Sequence, residues 1–170
     1  RPFVLKKIID SYILFNYTPP KSLIFIETHG EILTNDLQKK AVNFFKVPVS
    51  NMYGSEETNG IAYECPGHCL HILQDNVYVE INTHECQLDA RSSDIIITNL
   101  HNKAMPLIRY QQGDIVAFQN NSTNNCTCQN HSPSISIIEG RSSDCIELEN
   151  KYMLNSVLFL EIMGIVNNYF

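Results

Sequence analysis

Apolar positions recur at helical spacing in two stretches of the first part of the chain and fall into short runs separated by turn residues later. Val4 to Tyr17 carry apolar side chains at mixed helical spacing and predict a helix, which Thr18-Pro19-Pro20 breaks. Ser22 to Glu27 is a short apolar run ending at a turn, His29-Gly30-Glu31, and reads as a buried strand. Leu37, Ala41, Phe44 and Phe45 then recur at three-to-four spacing, predicting a helix capped by Thr34 or Asn35 and ended by Pro48. Val49 to Tyr53 is a second strand. Strand, helix, strand in that order predicts a parallel βαβ unit.

After Gly54 the pattern changes. Leu70–Leu73, Val77–Ile81, Asp94–Thr98, Ile115–Phe118 and Ser134–Glu139 are short strand candidates at near-regular intervals, which predicts a small antiparallel sheet or barrel. Residues 119–132 are polar and Asn-rich and read as a loop carrying two cysteines. Leu154 to Phe170 is apolar and reads as the start of a further domain beginning after about residue 141. The expected class is α/β plus β: the end of a βαβ subdomain over residues 1–76, a β-barrel-like subdomain over 77–140, and a final segment, 141–170. No internal repeat is visible.

With 170 residues, 44% of them hydrophobic, the chain can bury about two-thirds of its unfolded surface. The formal charge is −6 and no basic patch stands out, which argues against nucleic acid or an anionic membrane as partner. No apolar run approaches the roughly 20 residues of a bilayer span. The chain opens Arg1-Pro2-Phe3 without a signal-peptide pattern and reads as a piece of a longer protein. Asn-x-Ser/Thr triplets such as Asn121-Ser122-Thr123 arise by chance in so Asn-rich a chain. The six cysteines, Cys65, Cys69, Cys86, Cys126, Cys128 and Cys145, are too sparse for a secreted disulfide framework. Metal-bound thiolates in a reducing, cytoplasmic compartment fit better.

Several short motifs stand in a definite order. Gly30-Glu31 follows a strand, and Asn51-Met52-Tyr53-Gly54-Ser55-Glu56-Glu57 follows the next. Glu64-Cys65 leads to Leu70-His71-Ile72. Pro106-Leu107-Ile108-Arg109-Tyr110-Gln111-Gln112-Gly113-Asp114, Cys126-Thr127-Cys128 and Gly140-Arg141-Ser142-Ser143-Asp144 complete the series. This order and spacing, over about residues 22–146, resemble the phenylacetate–coenzyme A ligases and their relatives associated with capsule biosynthesis, within the acyl-CoA synthetase superfamily. The resemblance implies a fragment of the N-terminal domain of an adenylate-forming enzyme, with residues 1–76 ending its AMP-binding subdomain. It also implies a two-step reaction. A carboxylate attacks the α-phosphorus of ATP, releasing pyrophosphate, and a thiol, usually coenzyme A, then displaces AMP.

Roles for particular residues follow from the resemblance. Tyr53 borders the adenine, Gly54 admits the ligand to the backbone, and Glu57, the candidate catalytic residue, holds magnesium. Asp114 accepts hydrogen bonds from the ribose hydroxyls, and Arg141, in a hinge, reaches the nucleotide. Gly30 and Glu31 lie at the adenine edge. Without the resemblance, Tyr53 to Glu57 would read as a strand-to-loop turn with solvated acids. Arg109 is expected to tie strands together. Glu56 stands where relatives carry a small hydroxyl residue, and would repel phosphate by about 1 kcal/mol or more at short range. Ser143 stands in place of the usual hinge aspartate.

Three thiolates and one imidazole, Cys65, His71, Cys126 and Cys128, suit tetrahedral zinc in a structural role. His68 and Cys69 are competing ligands, while Cys86 and Cys145 are bystanders. The family's phosphate loop would lie before Arg1 and its C-terminal lysine beyond Phe170, so no turnover is expected of these 170 residues alone. The implied partners are a small carboxylic acid, ATP, coenzyme A and, as similar ligases often dimerise, a second copy. The alternative is a catalytically degenerate, zinc-stabilised binding or scaffold protein of the same fold, linked to capsule polysaccharide biosynthesis.

Overall fold

The computed structural model describes residues 1–82, 92–118, 126–144, 146–147 and 153–154. These fall into two compact units, Arg1–Leu73 with Asn125–Ser132, and Gln74–Asn124 with Pro133–Phe170. Cys86, Cys145, Asn121 and the apolar stretch from 155 to 170 lie outside the described residues.

The first unit opens with α1 (Pro2–Leu14), which carries proline in its first turn, where a missing N–H costs nothing. It ends three residues before the expected Tyr17 because Asn16 takes a left-handed conformation, φ 54°, and the Tyr17 N–H turns back to the Tyr12 carbonyl at 2.8 Å. The first strand, β1 (Ile26–His29), starts later than the apolar run suggested. The Leu23 N–H closes a turn onto the Pro20 carbonyl, and Ile24 is exposed. The second helix, α2 (Asn35–Phe45), is capped by Thr34, whose hydroxyl accepts from the Leu37 N–H, and stops at Lys46 in the left-handed region.

Leu5 and Ile9 of α1 pack with Ala41 and Phe45 of α2 and with Val49, which opens β2 (Val49–Ser55). β1 and β2 pair in parallel, Ile26 opposite Val49, so the βαβ arrangement is present. β3 (Asn59–Glu64), not foreseen from the sequence, returns antiparallel to β2, and β4 (Leu70–Ile72) follows antiparallel to β3. The Asn59-Gly60 pair that suggests a turn instead opens the strand. Its Gly60, Ile61 and Ala62 are buried consecutively, so no alternation marks it.

The second unit is an antiparallel meander of β5 (Val77–Asn82), β6 (Ser92–Asn99), β7 (Tyr110–Phe118) and β8 (Ser134–Arg141). Representative partners are Val79 with Ile97, Ile97 with Tyr110, and Asp114 with Arg141. Val77, Ile95, Ile97, Ile115, Val116 and Ile135 are buried in it. Among the described residues the pairing runs β5-β6-β7-β8 and does not close on itself, so the barrel-like expectation is replaced by an open meander. A 3-10 turn (Ser142–Asp144) and a short pair, β9 (Ile146–Glu147) with β10 (Met153–Leu154), follow. No helix among the described residues is long and apolar enough to cross a membrane.

Candidate functional site

The link between β3 and β4, Cys65-Pro66-Gly67-His68-Cys69, is a tight knuckle. The Cys65 N–H donates to the Cys69 carbonyl and the His68 N–H to the Cys65 carbonyl, both at 2.9 Å, with His68 in the left-handed region. This fold-back places Cys65 and Cys69 beside His71, the central residue of β4. The segment from 126 to 132 lies against the same knuckle. A Cβ on Gly67 would stand 3.0 Å from Cys126 Sγ and 3.1 Å from Thr127 Oγ1, so glycine leaves room for that approach.

The donor atoms of Cys65, Cys69, His71 and Cys126 all lie within 4.8 Å of one another. Cys65 Sγ and Cys126 Sγ are 3.2 Å apart, as are Cys126 Sγ and Cys128 Sγ, and Cys128 Sγ is 3.1 Å from His71 Nε2. His71 is fully buried, and its Nδ1 faces the Ser132 carbonyl at 3.0 Å. A carbonyl only accepts, so Nδ1 carries the proton and Nε2 presents its lone pair to the thiols. Metal-binding histidines are commonly held this way.

The thiols do not share charge evenly. Burial pushes the Cys65 thiol up, but the Cys69 N–H and the neighbouring Cys126 and Cys128 thiols outweigh it and bring Cys65 down to about 6. Cys128 is pushed up to about 11, chiefly by the Cys126 thiol. For Cys126, hydrogen bonds from Cys128 lower the value, but burial with Cys69 and Cys65 beside it leaves the net shift upward. Without a cation, the thiolate form is favoured at Cys65 and disfavoured at Cys126 and Cys128. A divalent soft cation would remove the repulsion among thiolates and take the protons' place. The donor set therefore fits zinc. With Zn–S bonds of about 2.3 Å, the 3.2 Å sulfur pairs would open to roughly 3.8 Å, the edge of a tetrahedron.

Glu64, which the sequence reading left without a role, anchors this knuckle. Its carboxylate accepts from Gln38 Nε2 of α2 at 3.0 Å and from the Asn51 N–H of β2 at 2.8 Å, and meets His68 Nδ1 at 2.6 Å. Gln38 Nε2 also donates to the Val49 carbonyl at 2.9 Å. One carboxylate thus joins α2, β2 and the cysteine turn.

The Tyr53 to Glu57 motif of the first unit lies on the β2–β3 hairpin. Tyr53 is buried in β2, opposite Ala62. Gly54 sits at a register shift, where a Cβ would fall 2.3 Å from the Asn59 carbonyl oxygen. Ser55 Oγ and Thr58 Oγ1 close the turn at 2.9 Å, which leaves Glu56 and Glu57 exposed at its tip. Gly30, φ 75°, ends β1, and the carboxylate of Glu31 accepts from the Phe3 N–H at 3.0 Å and pairs with Arg1 at 3.6 Å.

In the second unit Gly113, φ 80°, precedes Asp114 within β7. Asp114 is largely buried. Gln112 Nε2 donates to its Oδ2 at 2.5 Å, and Arg141 Nε stands 3.5 Å from its Oδ1. Asp114 and Arg141 are thus brought together across the β7–β8 pair. Ser142 Oγ donates to the Gly113 carbonyl at 3.2 Å. Arg109 donates from Nε to Glu80 of β5 at 3.3 Å, and its backbone N–H donates to Thr98 of β6, the strand-tying role expected for it.

No protein-family profile matches the chain. Its fold is that of adenylate-forming CoA ligases. 2-Hydroxyisobutyryl-CoA ligase, solved in complex with 2-HIB-AMP and CoA, aligns with a TM-score of 0.69 over 87% of this chain and 36% of its own length, at 15% identity. The R395G form of coronafacic acid ligase from Pectobacterium brasiliense aligns with a TM-score of 0.57 over 93% of this chain and 31% of its own, at 19% identity. The A domain of carboxylic acid reductase from Segniliparus rugosus, in complex with AMP and a carboxylic acid, gives 0.57 over 90% of this chain and 27% of its own, at 9% identity. Among curated sequences, protein CapK of Staphylococcus aureus is 26% identical over 166 residues, 97% of this chain and 34% of CapK. The chain spans about a third of the length of the relatives it matches.

Proposed function

We propose that the chain is part of an ATP-dependent carboxylate–thiol ligase of phenylacetate–CoA ligase type, which forms an acyl or aryl adenylate and passes the acyl group to coenzyme A. The observation that carries this reading is the buried Asp114, fixed by Gln112 and Arg141, on a chain whose fold is that of adenylate-forming CoA ligases. Both Asp114 oxygens are oriented, so the carboxylate can accept from two ribose hydroxyls, and charged acceptors form roughly twice as strong a bond as neutral ones. Tyr53, Gly54, Gly30 and Glu31 serve the adenine side, Glu57 would hold magnesium, and Arg141 reaches the phosphate. Magnesium would neutralise charge on the phosphates.

The Cys65, His71, Cys126 and Cys128 cluster serves as a structural zinc site that fixes residues 126–132 to the β3–β4 knuckle. Residues 1–76, 77–140 and 141–170 then serve as the end of the AMP-binding subdomain, the β-rich subdomain and the hinge with the following domain. The protein works in the cytoplasm, and the resemblance of its motif order to capsule-associated relatives suits a place in capsule biosynthesis. Calorimetry with ATP·Mg and with an acyl-sulfamoyl adenosine tests the reading. Binding that Asp114→Ala abolishes supports it, and no binding by either ligand refutes it. A second reading, a binding protein of the same fold without turnover, is favoured by Glu56, an extra carboxylate beside Glu57 at the exposed hairpin tip. Nucleotide binding without pyrophosphate release in the full-length protein would select it.

A further inference from the structure

The cluster holds five donors, one more than a tetrahedral zinc accepts. Cys65, His71 and Cys126 are common to two sets of four, one completed by Cys69 and the other by Cys128. The fourth position has two candidates. Cys69 comes from the knuckle, with its sulfur among the four donor atoms that are mutually within 4.8 Å. Cys128 comes from the other segment, with its sulfur 3.1 Å from His71 Nε2 and 3.2 Å from Cys126 Sγ. The two arrive from separate stretches of chain, so neither excludes the other. Cys69 Sγ meets the Cys126 thiol and has a longer contact, 3.7 Å, to the Gly67 carbonyl, and both Cys69 and Cys128 are only partly buried.

We infer that Cys69 and Cys128 share one coordination position, so that zinc is held by Cys65, His71, Cys126 and either of the two, with the displaced thiol left beside the metal. This rests on the zinc reading above and deepens it. The exchange is balanced: the entering thiol loses its proton as it bonds to the metal, and the leaving thiolate takes one up. Such a site keeps its metal through loss of either thiol and presents one exchangeable sulfur to soft electrophiles and to thiol-seeking zinc acceptors.

The test is zinc content after gel filtration against a competing chelator, for wild type, Cys69→Ser, Cys128→Ser, the double variant and Cys126→Ser. Alkylation by iodoacetamide of zinc-loaded wild type, mapped by mass spectrometry, accompanies it. We expect about one zinc per chain in wild type and in both single variants. Zinc affinity in the double variant and in Cys126→Ser should fall more than about 100-fold, beyond the ~10–100-fold that supporting residues carry. In loaded wild type, Cys69 and Cys128 should each be partly alkylated while Cys65 and Cys126 stay protected. Loss of zinc in only one of the two single variants overturns the shared position, as does retention in the double variant. So does complete protection of one of the two thiols with full labelling of the other, a readout that stands even if the double variant does not fold. A wild type that takes up no zinc overturns the metal reading itself and the inference with it.

Discussion

Gly54 offers a sharp test of how the β2–β3 hairpin is built. An alanine Cβ there would lie 2.3 Å from the Asn59 carbonyl oxygen, 3.0 Å from the Asn59 carbonyl carbon and 3.2 Å from Gly60 Cα. All three are backbone atoms, so no side-chain rotation relieves the clash. A tolerable C···O contact is about 3.3 Å, so the strands must part by roughly 1 Å at the register shift. Overpacking of this kind costs about 1–3 kcal/mol, and a rigid backbone partner places Gly54→Ala at the upper end. For a chain of this size about 3 kcal/mol corresponds to a fall in Tm of roughly 6–12 °C. Gly60→Ala is the matched control. Its Cβ would meet the far ends of Leu73 and Met52, at 3.2 and 3.6 Å, which can move. The reduced entropy of the unfolded chain returns about 0.4–1 kcal/mol, so that variant should stay within about 1 kcal/mol of wild type. Urea unfolding followed by circular dichroism measures both. A Gly54→Ala protein as stable as wild type, or a Gly60→Ala protein less stable than Gly54→Ala, would refute the account.

Four further outcomes follow. Gln38→Leu removes the donor to the buried Val49 carbonyl and one of the three partners of Glu64, and should cost about 1–3 kcal/mol, read by chemical denaturation. Thr34→Ala removes the α2 cap and should cost about 1 kcal/mol, with Thr34→Ser close to wild type in the same assay. For pH, the folded Cys65 thiol lies below its ordinary value, at about 6, so its thiolate favours the fold. That contribution is complete above the ordinary thiol range near 9, shrinks as pH falls, and is gone below about 6. Metal-free protein should gain stability from pH 6 to 9, and Cys65→Ser should flatten that rise. Zinc uptake near pH 7.5 should release protons from the raised Cys126 and Cys128 thiols, measured by calorimetry in two buffers of different ionisation enthalpy; no buffer dependence would contradict the thiol assignments.

The sequence by itself determined the elements whose signals are local. The three-to-four spacing of Leu37, Ala41, Phe44 and Phe45 behind Thr34 specifies α2, because a helix encodes its buried face and its cap within a few residues. The short apolar runs separated by turn residues specified β5 to β8 for the same reason, and the order of motifs pointed to the ligase fold. Tertiary structure alone decided what depends on partners distant in the chain. β3 carries a buried run without alternation behind an Asn-Gly pair, so its strand identity comes from pairing with β2 and β4. Glu64 looks like any strand-end acid, and only packing turns it into the anchor of α2, β2 and the cysteine knuckle. Residues 126–132 looked like part of the β-rich region, yet they belong with the first unit, where Cys126 and Cys128 meet Cys65 and His71. Spacing along the chain fixes which side chains share a face; which faces meet is decided only when the whole chain excludes water and the distant donors arrive at one point.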